Sequence, residues 1–279
     1  MIKKNLPYLI FSDLDGTLLD HDTYSFHEAR EALLGLKNKG IPLILCSSKT
    51  RAEMEGLRRE LDNHDPFITE NGAAVFIPQG LFGPLDLKYK AVEGYEVVEL
   101  GIPYDKIKAL FRAIKAETGL PAKGFSEMSP EQIARFTGLD LEKAALAGQR
   151  EYSEPFLLTE EMSGNQRLLI EQAVQKKNLT LVRGGRFYHL TGPNDKGKAV
   201  RLLINLYQKL NRSIVSIGLG DSPNDFPMLE NVDLPILIKK KTGHLEPWPG
   251  LTPVYHSREV GPKGWNEFVN YFLKEAGHE

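Results

Sequence analysis

The run Tyr8-Leu9-Ile10-Phe11-Ser12 leads directly into Asp13-Leu14-Asp15-Gly16-Thr17-Leu18, and few stretches of this length restrict a fold so strongly. The apolar run has the character of a strand buried on both faces, as in parallel sheets flanked by helices. Two carboxylates at i and i+2, followed by Gly-Thr, end the strand and turn the chain. In open α/β sheets the C-terminal ends of strands are where ligands bind. Alternation puts Asp13 and Asp15 on one side, so their carboxylates converge unless the turn swings one away. Two such anions repel unless a cation holds one and the other takes up a proton. That division suits phosphoryl transfer: a carboxylate held ionised by Mg²⁺ attacks phosphorus, and its neighbour acts as general acid and then general base. For an isolated Asp-x-Asp, a turn capped by Asp would be the default reading.

The rest of the chain sets the limits. Its 279 residues predict about two domains, each with its own core. Lys+Arg 35 against Asp+Glu 37 gives a net charge of -2, which offers no basic footprint for nucleic acid. The single Cys46 lies in an apolar run, pointing to a reducing compartment and a core thiol. The apolar run near the N-terminus is too short for a signal peptide, and none approaches the ~18 residues of a membrane span. A soluble cytoplasmic enzyme without membrane or nucleic-acid partners is expected, as a monomer or homodimer.

Further strand ends repeat the pattern. Ser25 to Glu28 predicts a capping box opening a helix through Lys39. Ile41–Cys46 predicts a second buried strand, ending in Ser47-Ser48-Lys49-Thr50-Arg51 just before a helix. Hydroxyls, cations and a helix N-terminus make an anion site, with Ser47 on phosphate, Lys49 and Arg51 neutralising charge, and Ser48 read chiefly as a helix cap. Asn71-Gly72 predicts a tight turn. Lys196 stands in the first turn of a predicted helix, poorly placed for the dipole unless it reaches an anion. A later apolar run, Ser213 to Gly218, ends in Leu219-Gly220-Asp221-Ser222-Pro223-Asn224-Asp225. Asp13, the Asp15 carbonyl and Asp221 would give Mg²⁺ hard oxygen ligands, with Asn224 and Asp225 behind them or on its waters. The tail predicts a final strand at 234–238 and a final helix at 264–276, with Trp248 and Trp265 as packing residues.

The middle block changes character, with predicted helices from Pro103 and Ser129 and an Asp140-capped third. Asn165 to Lys177 predicts another helix, and a hairpin turns at Arg183-Gly184-Gly185-Arg186. The expected division is a core from 1–84 and 189–279 with an α+β cap at 85–188.

The string DLDGTLL, Ser47 after the second strand, Lys196 and GDSPND at 220–225 together resemble the haloacid dehalogenase (HAD) superfamily of phosphohydrolases. FSDLDGTLLD, CSSKTRAEM, ENGA, REYSEPF, GGRFYHL and GLGDSPND resemble, within it, the mannosyl-3-phosphoglycerate phosphatase family. The resemblance covers nearly the whole chain. It implies an α/β, Rossmann-like three-layer core with a mainly parallel sheet, a cap inserted late in the core, and Mg²⁺-dependent hydrolysis of a phosphorylated glycoside to a compatible solute. It implies Asp13 as nucleophile, Asp15 as acid and base, Ser47 and Lys196 as phosphate partners, with Gly16, Thr17, Ser48 and Asn224 nearby. The substrate's second anion calls for donors, for which Lys49, Arg51, Arg183 and Arg186 are candidates with Gly184 and Gly185 between the last two; Arg167 and His189 are weaker ones. Ser153, Glu154 and Glu151 could meet sugar hydroxyls. A phosphatase of glucosyl-3-phosphoglycerate or another sugar phosphate, a phosphomutase and a silent phospho-ligand binder are the alternatives.

Overall fold

A computed structural model describes residues 7–183, 187–210, 213–250 and 252–275. The elements begin with β1 (Tyr8–Ser12), α1 (Arg30–Lys39), β2 (Leu43–Cys46), α2 (Arg51–Leu61), β3 (Phe67–Thr69) and β4 (Ala74–Pro78). Then come β5 (Lys90–Val92), β6 (Tyr95–Glu99), α3 (Tyr104–Thr118), β7 (Ala122–Gly124), α4 (Pro130–Thr137), α5 (Leu141–Ala147) and β8 (Ser153–Leu158). The cap closes with α6 (Gly164–Lys176), β9 (Thr180–Arg183) and β10 (Tyr188–Thr191). The core resumes with α7 (Lys196–Leu210), β11 (Val215–Gly220), α8 (Phe226–Leu229), β12 (Leu234–Lys239), β13 (Tyr255–Val260) and α9 (Gly261–Glu275).

Nine strands form one sheet in the order β13-β12-β11-β1-β2-β3-β4-β6-β5. Pairing is parallel from β13 through β3, and β4, β6 and β5 add an antiparallel edge. Every residue of β1 is buried, because both faces are covered. Ile10, Leu45, Phe67 and Trp265 pack on one face, and Phe11, Ile44, Val200 and Leu237 on the other. Each such side chain contributes about 1.5–3 kcal/mol by leaving water. Cys46 is a fully buried core residue of the second layer, and that burial pushes its thiol up to about 12. From β1 the chain proceeds to β2 and β3 on one side and later fills β11, β12 and β13 on the other. The switch point therefore lies at the C-terminal ends of β1, β2 and β11.

A second sheet, β7-β8-β10-β9, is antiparallel. Ile107, Phe111 and Ile114 of α3 and Ile170 and Ala173 of α6 pack against Phe156 and Leu190 on one of its faces. Strands β5 and β6 fall inside the stretch expected to be cap, yet they extend the large sheet through Ala74–Pro78. We propose the division at Leu100–Ile102 and at Gly192, where the two connections meet: a Cβ on Gly192 would touch the Ile102 backbone N at 3.1 Å.

Local signals account for most boundaries. Thr50 caps α2 through the Glu53 N–H with a reciprocal Glu53 contact, Asp140 accepts from the Lys143 N–H at 2.8 Å, and Gly40 ends α1 at φ 62°. The capping box expected at Ser25 is absent: a short 3₁₀ turn, His27–Ala29, precedes α1, and Ser25 Oγ accepts only from the His27 N–H. In α6 Ile170, Ala173 and Val174 face inward, leaving Leu168 and Leu169 exposed. Among the described residues no helix is long and apolar enough to cross a membrane.

Candidate active site

Three strand ends bring the chemistry together. Asp13 leaves β1 with its N–H bonded to the Leu219 carbonyl of β11 at 2.9 Å. Lys196 opens α7 fully buried, donating to Asp13 Oδ1 at 2.6 Å, Asp225 Oδ1 at 2.6 Å and the Cys46 carbonyl at 2.9 Å. This is the anion contact that its place in a first helical turn called for. Burial alone would lower the ammonium's pKa, but Asp13 and Asp225 raise it overall. Asp225 Oδ2 accepts from the N–H groups of Asp221 and Ser222, both at 3.0 Å, so it shapes the loop after β11.

Asp13, Asp221 and Asp225 offer carboxylate oxygens all within 4.8 Å of one another. Burial, followed by the Asp225 charge, raises Asp13 well above the usual carboxylate range, with Lys196 opposing. The same two causes push Asp221 up to about 7. Three hard oxygen donors with one ammonium among them suit a divalent cation, which would relieve the repulsion. Gly16, at φ +85°, keeps this space open: a Cβ would stand 3.0 Å from Asp221 Oδ2.

Asp13 and Asp15 meet different cations. Asp15 Oδ2 accepts from Lys49 Nζ at 2.9 Å, while its Oδ1 is buried without a hydrogen-bond partner. Lys49 also lies 5.0 Å from the Tyr24 ring centroid, and its pKa is raised because Asp15 and Glu53 outweigh burial. Ser47 is buried beside them, its Oγ accepting from the Lys49 N–H at 3.2 Å. The Thr17 hydroxyl is buried without a partner, and Asn224 donates to Asn71 Oδ1 at 3.2 Å.

Other expected contacts are corrected. Ser48 caps nothing: Thr50 takes that role, and the Ser48 carbonyl accepts from Arg150. Arg51 is engaged by Glu93 at 2.8 Å, Glu55 at 3.5 Å and Glu151 at 3.6 Å, so its charge is already shared among three carboxylates. Ser153 is fully buried between Glu70 and Arg150, and Glu154 accepts from Tyr104 and Ser126, so neither offers itself to a sugar. Arg183 pairs in register with Tyr188, on the helix-covered side of the cap sheet, and shares a small cavity there with Arg167 and Glu171. His189 lies on the opposite side, near Arg150, with Nδ1 buried and unpartnered; burial, then Arg150, pull its pKa down to about 3, so it is no cation. Gly184, Gly185 and Arg186 lie outside the described residues.

Two residues escaped the sequence reading. Glu70 stands beside the predicted Asn71-Gly72 turn and Arg150 opens the string REYSEPF, and no role is assigned to either. Glu70, Asn71 and Gly72 all have positive φ, at 46°, 58° and 85°, and this sends the Glu70 carboxylate toward the cap. No local signal marks the pair: Gln149 beside Arg150 is exposed, and the partner lies far along the chain.

The strand order, the acidic strand ends and buried Lys196 define a haloacid dehalogenase-like hydrolase, and the family model of that description matches residues 10–82. Solved structures agree in fold. A haloacid dehalogenase-like hydrolase from Bacteroides thetaiotaomicron has a TM-score of 0.65 at 15% identity, covering 95% of this chain and 99% of that one. The sucrose-phosphatase from Synechocystis has a TM-score of 0.61 at 14% identity, covering 96% and 98%. Sequence relatives are more specific. A glucosyl-3-phosphoglycerate/mannosyl-3-phosphoglycerate phosphatase from Methanococcoides burtonii is 44% identical over 265 residues, 95% of this chain and 96% of the relative. A mannosyl-3-phosphoglycerate phosphatase from Pyrococcus horikoshii is 41% identical over 230 residues, 82% and 90% respectively. The chain belongs to the mannosyl-3-phosphoglycerate phosphatase family, and so to the phosphoric monoester hydrolases.

Proposed function

We propose that the chain is a Mg²⁺-dependent phosphatase that hydrolyses mannosyl-3-phosphoglycerate to mannosylglycerate and phosphate, a step of compatible-solute synthesis, through a phosphoryl group carried on Asp13. The observation that carries this reading is the convergence of Asp13, Asp15, Ser47, Lys196 and Asp221 at neighbouring strand ends, in a chain 44% identical to a phosphatase of that substrate pair. A cytoplasmic location belongs to the same reading, supported by the lone buried Cys46.

Asp13, the Asp15 carbonyl and Asp221 would hold the metal ion, which when bound neutralises charge on the phosphoryl oxygens. Lys196 fixes Asp13 Oδ1 at 2.6 Å, which orients the other carboxylate oxygen for attack. As that oxygen bonds to phosphorus, the bond to the glyceryl oxygen breaks and Asp15 supplies the departing oxygen with a proton. Asp15 then takes a proton from water, whose oxygen displaces Asp13 and releases phosphate. Ser47 donates to the equatorial oxygens in both steps, and Lys196, its protons on Asp13, Asp225 and the Cys46 carbonyl, offsets their charge from beside Asp13. Lys49, whose ammonium pairs with Asp15 at 2.9 Å, serves the glycerate carboxylate from beside that acid.

A second reading, glucosyl-3-phosphoglycerate as substrate, is favoured by the dual name of the Methanococcoides burtonii relative. Phosphate release with Mg²⁺ tests both, on mannosyl- and glucosyl-3-phosphoglycerate, 3-phosphoglycerate and mannose-6-phosphate. Strong preference for the glycosyl compounds is expected. Equal turnover of mannose-6-phosphate would remove the substrate assignment and leave the phosphatase chemistry intact.

A further inference from the structure

The loop Ser47–Thr50 between β2 and α2 carries four carbonyl groups. The core itself engages three: Asn71 N–H donates to Ser47 at 3.0 Å, Glu70 N–H to Lys49 at 3.1 Å, and Met54 N–H to Thr50 at 3.0 Å. The fourth, on Ser48, accepts from Arg150 Nη2 at 2.8 Å. Arg150 belongs to the cap, just ahead of β8. A second bond joins the same two parts, from Thr50 Oγ1 to the Leu146 carbonyl of α5 at 3.0 Å.

Arg150 is held from the other side as well. Nη2 also donates to Ser153 Oγ at 2.9 Å, and Nε lies 3.4 Å from Glu70 Oε2. The Glu70 carboxylate accepts from the Glu151 N–H at 2.8 Å, the Tyr152 N–H at 3.2 Å and Ser153 Oγ at 2.6 Å. Glu70 thus clamps twice: its backbone holds the phosphate loop, and its side chain holds the base of the cap. Arg150 and Glu70 side chains are only 4% and 0% exposed. A buried ion pair is seldom worth more than an apolar pair of equal volume, so stability alone is a weak reason to have one. An apolar pair, however, could not direct a charge-assisted hydrogen bond to one chosen carbonyl.

We infer that Arg150 is a positioning residue, making the shape of the phosphate-binding loop depend on the seating of the cap. With the cap seated, Ser48 is pinned and Ser47 faces the phosphate squarely. When the base of the cap lifts, Arg150 leaves Ser48 and the loop loses its fourth restraint, easing phosphate release. This rests on the proposed role of Ser47 in holding phosphate.

Binding of inorganic phosphate to the Mg²⁺-loaded full chain, measured by calorimetry, tests this without involving the sugar. Arg150→Met is expected to weaken phosphate binding about tenfold or more, as loss of an outer support to a binding group does. Arg150→Lys keeps the charge but lacks the fork that meets the Ser48 carbonyl, Ser153 Oγ and Glu70 together, and is expected to lose several-fold. A folded Arg150→Met, melting within a few degrees of wild type and binding phosphate as tightly, would overturn the inference. Should Arg150→Met not fold, wild-type phosphate affinity in Arg150→Lys overturns it equally. Wild-type protein that binds phosphate but cleaves neither glycosyl-phosphoglycerate would instead remove the proposed substrate and leave this inference standing.

Discussion

Lys196 and Asp225 form an ion pair at 2.6 Å in which neither side chain touches solvent. The same ammonium reaches Asp13, so the orientation of that carboxylate is set from the loop after β11. Asp225→Ala would leave Lys196 with one carboxylate and free the N–H groups of Asp221 and Ser222. A loss of about 3 kcal/mol in urea unfolding is expected, the lower end for breaking a buried pair, because Asp13 remains. A loss under about 1 kcal/mol would mean that the pair is spare.

Asp13→Asn removes the nucleophile and one of three crowded carboxylates. Turnover should fall by about 10⁴ or more. Because burial and Asp225 disfavour the ionised form of Asp13, the melting temperature of the metal-free variant should hold or rise. Activity near wild type in a clean preparation would refute covalent catalysis at this residue.

Arg51 and Arg183 discriminate between two pictures of substrate recognition. Arg51 is spent on three carboxylates, and Arg183 stands on the helix side of the cap sheet. Arg51→Ala and Arg183→Ala should each leave KM for mannosyl-3-phosphoglycerate within about twofold, and Arg51→Ala should cost about 1 kcal/mol or less in stability. Lys49→Met, in contrast, should raise KM at least about tenfold through loss of a charge-assisted contact. Steady-state kinetics on the three variants decides it.

His189 gives a pH signature. Its folded-state pKa, about 3, lies below the ordinary 6.5 because burial and Arg150 disfavour the imidazolium. A depressed value means that the unfolded chain binds more protons between these limits. The contribution to stability is therefore complete above about 6.5 and is lost as pH falls toward 3, with a slope of at most about 1.4 kcal/mol per pH unit. His189→Gln should flatten that part of the profile; an unchanged slope in chemical denaturation would exclude the residue as its source.

Removal of divalent metal with EDTA should abolish turnover, and Mg²⁺ should restore it while raising the melting temperature. Asp221→Asn should lose most of that thermal response, since it removes one of the oxygen donors at the acidic cluster.

The polar strand ends were legible because they are local: an apolar run, then acid and glycine at β1 and β11, and hydroxyls with cations at β2. Lys196 was legible for the opposite reason, as a cation in a first helical turn where the dipole argues against it. Register was not. Arg183 takes the covered face of its strand by pairing with Tyr188, and a shift of one residue would have pointed it the other way. Strand β13 was missed because its residues are mostly exposed, lacking the apolar run that marks β12. Glu70 and Arg150 stand 80 positions apart, and nothing in either neighbourhood announces the other.

Strand β1 has β2 on one side and β11 on the other, and Ser12 Oγ accepts from the Trp265 indole N–H at 3.0 Å before donating to the Asp13 carbonyl. A ribosome delivers the nucleophile first and its neighbours last. Until α7, β11 and α9 have been translated, Asp13 sits at an open sheet edge without Lys196, Asp221 or the indole. The emerging chain therefore carries Asp13 without the other two carboxylates of its cluster, and the complete site comes into being only as the late segments close around the earliest one.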